Sequence, residues 1–402
     1  MANAAESAKR RIIVFGAFDR HNFGDMLFAH VVAALLAEHR PEVKLQFAGC
    51  ARRDLRALGG HDIAAISQMS ERWREEPVAL IHAGGELLTC DAWEAAVMLT
   101  TPDEAQACIA RYGSRATDRH AWARAELGTD ALAPYIAGRE TFPQAASICF
   151  NAIGGATLDA LDDAFRAEVL AKLRSADELS VRDTHTQSIL KRAGIDARLA
   201  PDPASMVAEL FDARIRERPD TRRAFPHGYL AVQFSADFGD DATLAHVAHQ
   251  LDLIGQWTGL GIALFRAGAA PWHDDIAVYR RLAARMRHAG VRIVESLDVW
   301  DICALIARSA GFAGSSLHGR IIAMAYGLPR VNFQHADAAK QRAYASTWEI
   351  AGAPGVVSIG ELHVAMREAL SMGRAALRDK ASALARAHRA GFEPIARSAL
   401  RS

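Results

Sequence analysis

The chain lacks most of the short signatures that announce a cofactor. Across its 402 residues there is no G-x-G-x-x-G after the first predicted strand, no Walker A loop and no H-E-x-x-H. A nicotinamide cofactor, a nucleoside triphosphate and a helix-borne zinc therefore have no footing in the sequence. Cysteine is scarce: Cys50, Cys90, Cys108, Cys149 and Cys303 are scattered, odd in number and form no C-x-x-C. That spacing argues against a disulfide scaffold and a zinc cluster, and it suits a reducing compartment. Neither a metal nor a bound cofactor is expected. No run approaches the ~20 apolar residues of a membrane span. The polar stretch before Arg11 has no apolar segment of the kind a signal peptide needs, so a cytoplasmic protein is expected. Nor is there an excess of charge of either sign. Lys+Arg and Asp+Glu both number 47, which gives no reason to expect nucleic acid as a partner.

What is present is alternation. Half of the residues are hydrophobic, and at ~100–200 residues per domain the length predicts two or three domains. Buried strands are predicted at Ile12–Phe15, Val78–Ile81, Ser147–Phe150 and Glu178–Val181, with a buried helix over Met26–Leu36 and another over Thr184–Arg192. The pattern then restarts. Strands at Tyr229–Phe234, Ile262–Phe265 and Val291–Val294 alternate with helices over Ala242–Trp257, Asp274–His288 and Val299–Arg308. The charged, proline-containing segment Arg214–Pro226 reads as a linker between the two series. Strands alternating with helices imply parallel sheets, so the fold class is α/β, with two Rossmann-like doubly wound domains facing a cleft. The first is assigned to residues 1–213, with an irregular insert at about 88–142, and the second to 226–358. A helical tail over 359–402 is placed to cross back onto the first domain. In the insert, Trp93, Tyr112, Trp122 and Tyr135 stand among arginines. They suit either sugar recognition or packing.

The chemistry concentrates where strands end. Gly314-Ser315-Ser316-Leu317-His318-Gly319-Arg320 follows a short apolar strand and opens an apolar helix that Gly327 and Pro329 stop. A helix N-terminus carries unsatisfied N–H groups and attracts anions. It also favours a neutral imidazole in its first turn. His318 is thus a candidate proton-exchanging group beside an anion site, although a plain capping-region histidine fits the same residues. Asn22-Phe23-Gly24-Asp25 opens the first helix. Asp25 reads as its N-cap or as a residue at the cleft edge. Gly84-Gly85, after the second buried strand, permits close backbone approach to a ligand or simply a tight turn. Arg182, at another strand end, suits a forked bond to carboxylate or phosphate, or an interaction with Asp183. Asp202 between two prolines reads as a turn. Lys340 either reaches an anion or stays solvated.

In their order along the chain these segments resemble the polysaccharide pyruvyl transferase family. The matching pieces are Asn22-Phe23-Gly24-Asp25, Gly84-Gly85, Val181-Arg182-Asp183, Ala200-Pro201-Asp202-Pro203, Ser316-Leu317-His318-Gly319 and Gly327-Leu328-Pro329. They span about residues 12 to 340. The resemblance implies a fold like that of the B-type glycosyltransferases, with phosphoenolpyruvate as donor and co-substrate. The acceptor would be a saccharide diol, and the product a cyclic pyruvate ketal made for surface or extracellular polysaccharide. Peripheral contact with membrane-bound glycan assembly would suit such a product. On this reading His318 is the general acid/base and Asp25 a base for the acceptor. Arg182, Gly84, Gly85, Ser315, Ser316, Arg320 and Lys340 hold the donor. Many members carry Arg where this chain has Ser316, so the donor's charge falls to the remaining cations and the helix N-terminus. Two other readings share the fold: a nucleotide-sugar-dependent glycosyltransferase, and a saccharide-binding member without catalysis. The oligomeric state is left open.

Overall fold

The apolar runs become strands of two sheets in a computed structural model, which describes residues 11–334 and 338–401. The polar stretch before Arg11 lies outside the described residues. The first sheet comprises β1 (Arg11–Phe15), β2 (Leu45–Gly49), β3 (Arg53–Asp54), β4 (Asp62–Ala65), β5 (Val78–Ala83), β6 (Ser147–Ile153), β7 (Glu178–Val181) and β8 (Arg198–Leu199). Their spatial order is β3-β4-β2-β1-β5-β6-β7-β8, and only the short β3 runs antiparallel to its neighbour. The second sheet comprises β9 (Tyr229–Gln233), β10 (Gly261–Phe265), β11 (Val291–Val294), β12 (Gly311–Gly314), β13 (Arg330–Gln334) and β14 (Val356–Ser358). Its order is β11-β10-β9-β12-β13-β14, parallel throughout. The central strands β1, β5, β6, β9 and β10 are rich in apolar residues because helices cover both faces.

Helices α1 (Phe23–His39), α2 (Ile66–Arg72), α3 (Ala92–Met98), α4 (Pro102–Tyr112), α5 (Ala116–Leu127), α6 (Asp163–Arg174), α7 (Thr184–Arg192) and α8 (Val207–Arg216) accompany the first sheet. With the second come α9 (Asp241–Thr258), α10 (Ile276–Arg285), α11 (Val299–Ala307), α12 (Leu317–Ala325), α13 (Ala339–Trp348) and α14 (Leu362–Ser371), and then the long α15 (Arg374–Leu400). Side-chain caps set many of their starts. Asp275 accepts from Ala277 N, for example, so α10 begins two residues later than the sequence pattern suggested.

Two sequence expectations change. The segment read as a linker, Arg214–Pro226, is in its first part the end of α8. Ile215 is buried there, so helix packing overrides the charge pattern. The insert at 88–142 is irregular only beyond Leu127, for it carries α3, α4 and α5 before that point. Its Trp93 and Tyr112 pack on Trp122, with ring centroids 5.2 and 6.1 Å apart, so these aromatics serve packing. The tail forms two helices, and α15 lies against α1 and the first sheet, burying Leu377, Leu384, Phe392 and Ile395.

Each sheet reverses strand order at its first strand, between β1 and β5 and between β9 and β12. Ligands of open α/β sheets sit outside the strand ends at such points. The two points are tied together. Phe23 N donates to Ala267 O (2.9 Å), Asn22 bridges to Gly268, and His21 accepts from Ala269 N (3.0 Å) while its other nitrogen meets Leu297 O (2.7 Å).

Candidate active site

A cavity of about 540 Å³ lies between these strand ends, lined from both domains by Arg20, Asp25, Glu86, Arg182, His318 and Lys340, among others. The loop after β12 is fixed before the helix starts. Ser316 N donates to Gln233 Oε1 (2.8 Å), Gln341 Nε2 donates to Ser315 O (2.7 Å), and Ser315 Oγ accepts from Ser235 N (3.0 Å). Ser316 is the N-cap of α12, its hydroxyl accepting from Gly319 N (3.1 Å). By helix geometry that leaves the N–H groups of Leu317 and His318 for a ligand or water.

The His318 ring is buried against Phe28 and Phe23, edge to face at 5.2 and 6.4 Å. Its Nε2 has no hydrogen-bond partner among the described residues and lies 3.9 Å from Asp202 Oδ2. Burial, together with the charges of Arg182 and Lys340, holds the imidazole's pKa well below its ordinary value, so it is neutral at pH 7. Asp25 is not the N-cap of α1, because Asn22 takes that place by accepting from Gly24 N (3.1 Å). The helix starts at Phe23, and Asp25 therefore falls in its first turn. Burial pushes the Asp25 carboxyl up to about 6, against the pull of Arg20 and Lys340. Gly85 marks where these groups converge. A Cβ there would lie 3.0 Å from Arg182 Nη1, 3.2 Å from Asp25 Oδ1 and 3.6 Å from His318 Cε1. Gly24 is equally constrained, since a methyl group on it would overlap the His318 ring.

Not every expected residue meets the cavity. Gly84 packs against Leu87. Arg320 is fully buried in a separate cluster, where its guanidinium and that of Arg330 share Glu349 (Arg320 Nη2 to Oε2, 2.5 Å). Its own position in α12, facing β13 and β14, turns it away from the cleft. Arg182 does reach the cleft, but it is only 2% exposed and already holds two carboxylates, Glu86 (2.5 Å) and Asp202 (2.9 Å). It carries little net charge for a donor. Lys340, in the first turn of α13, is exposed and lines the cavity. His82 is a core residue, stacked on Phe150 at 4.0 Å and accepting from Ala137 N (3.0 Å).

Sequence reasoning passed over Arg20 and Glu86 and took Asp202 for a turn. Arg20 sits in the loop after β1. Its guanidinium lies over the Tyr135 ring (5.2 Å), and its Nε has no partner among the described residues. An arginine at a strand end was the same signal that singled out Arg182. Asp202 looked like a turn because prolines flank it, and its pairing across 20 residues with Arg182 has no local trace.

Two Rossmann-like domains meeting across a polar cleft place the molecule in the B-type glycosyltransferase fold class. Within that class the chain belongs to the polysaccharide pyruvyl transferase family, whose sequence profile matches residues 22–337. Among solved structures it is similar to the UDP-GlcNAc 2-epimerase from Neisseria meningitidis bound to UDP-GlcNAc. The TM-score is 0.56 at 10% identity, covering 96% of this chain and 99% of that one. A putative UDP-N-acetylglucosamine 2-epimerase from Listeria monocytogenes gives 0.53 at 12%, covering 96% and 94%. At these identities the likeness shows the fold. A comparison with curated proteins found no match. Among the described residues no helix is long and apolar enough to cross a membrane.

Proposed function

We propose that the protein transfers the pyruvyl group of phosphoenolpyruvate onto two hydroxyls of a saccharide, forming a cyclic ketal and releasing phosphate. The observation that carries this reading is the convergence of His318, Asp25 and the start of α12 around Gly85. The reaction needs a proton delivered to the donor's methylene carbon, which leaves C2 electron-poor. One hydroxyl oxygen bonds to C2 and loses its proton, phosphate departs with the electron pair of its C–O bond, and the second hydroxyl closes the ring and loses its proton. The methylene gains one proton and the hydroxyls lose two. The phosphate takes up the difference.

The residues divide this work by their electrostatics. Arg20, Lys340 and the first N–H groups of α12 form the positive end that receives the donor's anionic groups. Arg182, neutralised by Glu86 and Asp202, acts as a brace that fixes both carboxylates. His318 is neutral without ligand, held so first by burial and then by its cationic neighbours, and a bound phosphate offsets the second of these. Donor binding thereby moves the ring towards protonation, and the proton it takes up serves the methylene. Asp25, with its carboxyl near 6, is ionised at neutral pH and takes a hydroxyl proton.

Calorimetric titration with phosphoenolpyruvate beside UDP-GlcNAc tests the donor. Phosphoenolpyruvate is expected to bind and Arg20→Ala to weaken it about tenfold or more, while UDP-GlcNAc stays silent. Binding of UDP-GlcNAc alone would move the chain to a nucleotide-sugar enzyme.

A further inference from the structure

We propose that Trp272 is the platform on which a sugar ring of the acceptor stacks at the cleft mouth, an inference that rests on the saccharide-acceptor reading above. Trp257, Trp272 and Val364 are the large apolar side chains left exposed among the described residues, and of these Trp272 alone lines the cleft cavity. It is 46% exposed. An indole presented beside a polar cavity offers a flat apolar face at low conformational cost.

The backbone beneath it is the second observation. His273 N donates to Ala270 O (3.1 Å), closing a turn whose two central residues are Pro271 and Trp272. Trp272 has φ +64°. Proline followed by a positive φ is the pattern of a type II turn, whose second central position calls for glycine or asparagine. A bulky aromatic is among the residues least suited to it. The turn is clamped on its far side, where Asp274 N donates to Gly268 O (3.2 Å) and Ala236 N to His273 O (2.9 Å). The chain thus holds an indole in a conformation its backbone resists, at the rim of the candidate site. Strain of this kind gathers where a side chain must be presented.

The surroundings select the ligand. Ser235, Asp237 and Gln334 line the same cavity, and Ala236 ties the 235–237 stretch to the Trp272 turn. Carboxylate, hydroxyl and amide groups pair with sugar hydroxyls.

The test is capture of the full-length protein on an immobilised saccharide array, with Trp272→Gly, Trp272→Ala and Trp272→Tyr beside wild type. Wild type is expected to bind one or more saccharides. Gly and Ala variants should bind at least tenfold more weakly, and Tyr should keep most of the affinity. Trp272→Gly should melt no lower than wild type, because glycine accepts the positive φ while alanine does not. A ring needed only for folding would give the opposite result. Failure of wild type to bind any saccharide, or equal capture of Trp272→Gly, would overturn the proposal. So would UDP binding that is lost in Trp272→Gly, which would make the partner a nucleobase. Phosphoenolpyruvate titrated into the same variants should bind as in wild type. Its failure to bind wild type, with saccharide capture intact, would count against the donor and leave Trp272 standing.

Discussion

Asp25 and His318 share a cleft in which burial moves both towards neutrality, the carboxyl up to about 6 and the imidazole down. The ordinary order of the two is thereby reversed, so in the unliganded site Asp25 holds a proton more firmly than His318 does. The sign for Asp25 follows from its raised folded value. Its contribution to stability is fully present below about 4, the unfolded value, and is lost as pH rises through about 6. Catalysis runs the other way, because a base must be ionised. The free-enzyme kcat/KM is therefore expected to climb between about pH 5 and 7, and Asp25→Asn should lose both that limb and most turnover. A limb unchanged in Asp25→Asn would assign it to another group. Arg182 makes a contrasting case. Removing it strands two carboxylates, Asp202 fully buried and Glu86 partly, and breaking such a pair costs about 3–5 kcal/mol. Arg182→Ala should show this as a large loss of thermal stability, whereas a ligand-binding arginine would leave the melting temperature nearly unmoved. His318, Asp25 and Lys340 were legible in the sequence because each falls where a strand gives way to a helix. The pairing that occupies Arg182 was not, because Glu86 and Asp202 approach it from distant loops.

At the scale of elements, the site is two helix starts placed against each other. The sequence showed both, as N-x-G-D and S-L-H-G, together with most of the strands that carry them. It did not show β2 or β4, whose short half-exposed runs lack a clean apolar pattern. Nor could it show why Gly24 is glycine. In an isolated helix, Gly→Ala would stabilise by about 1 kcal/mol. Here the added methyl meets the His318 ring, and overpacking of a buried contact costs about 1–3 kcal/mol. The steric term wins. Gly24→Ala is expected to lower stability modestly and turnover severely, since α1 and α12 can part only by moving His318. A variant with full activity and raised stability would mean that the two helix starts are not in contact in solution. The arginine of α12 was misjudged for a related reason: two residues beyond His318 along the helix, Arg320 projects from another side, where Glu349 awaits it.

At the scale of the whole molecule, the question is whether two sheets make two folding units. One hydrophobic cluster runs through both, joining Val14 and Ile81 of the first sheet to Phe265 and Phe312 of the second, with Phe392 and Ile395 of α15 in the same cluster. The last helix thus crosses back to the first domain and closes it. It also touches the site's frame, for His388 is buried and its Nδ1 hydrogen-bonds Pro201 O (2.7 Å), the carbonyl just before Asp202. Four fully buried side chains of α15, Leu377, Leu384, Phe392 and Ile395, each stabilise by about 1.5–3 kcal/mol. Together that approaches the about 5–15 kcal/mol by which native proteins are stable. Neither domain should persist without the helix, so heating should give a single calorimetric transition. Phe392→Ala, expected to cost about 3–5 kcal/mol, should move that whole transition down without splitting it. It should also weaken phosphoenolpyruvate binding only in proportion to the unfolded fraction, because the helix supports Asp202 from behind and does not line the cleft. Two separated transitions, with only the earlier one shifted by Phe392→Ala, would show that the continuous core does not couple the domains.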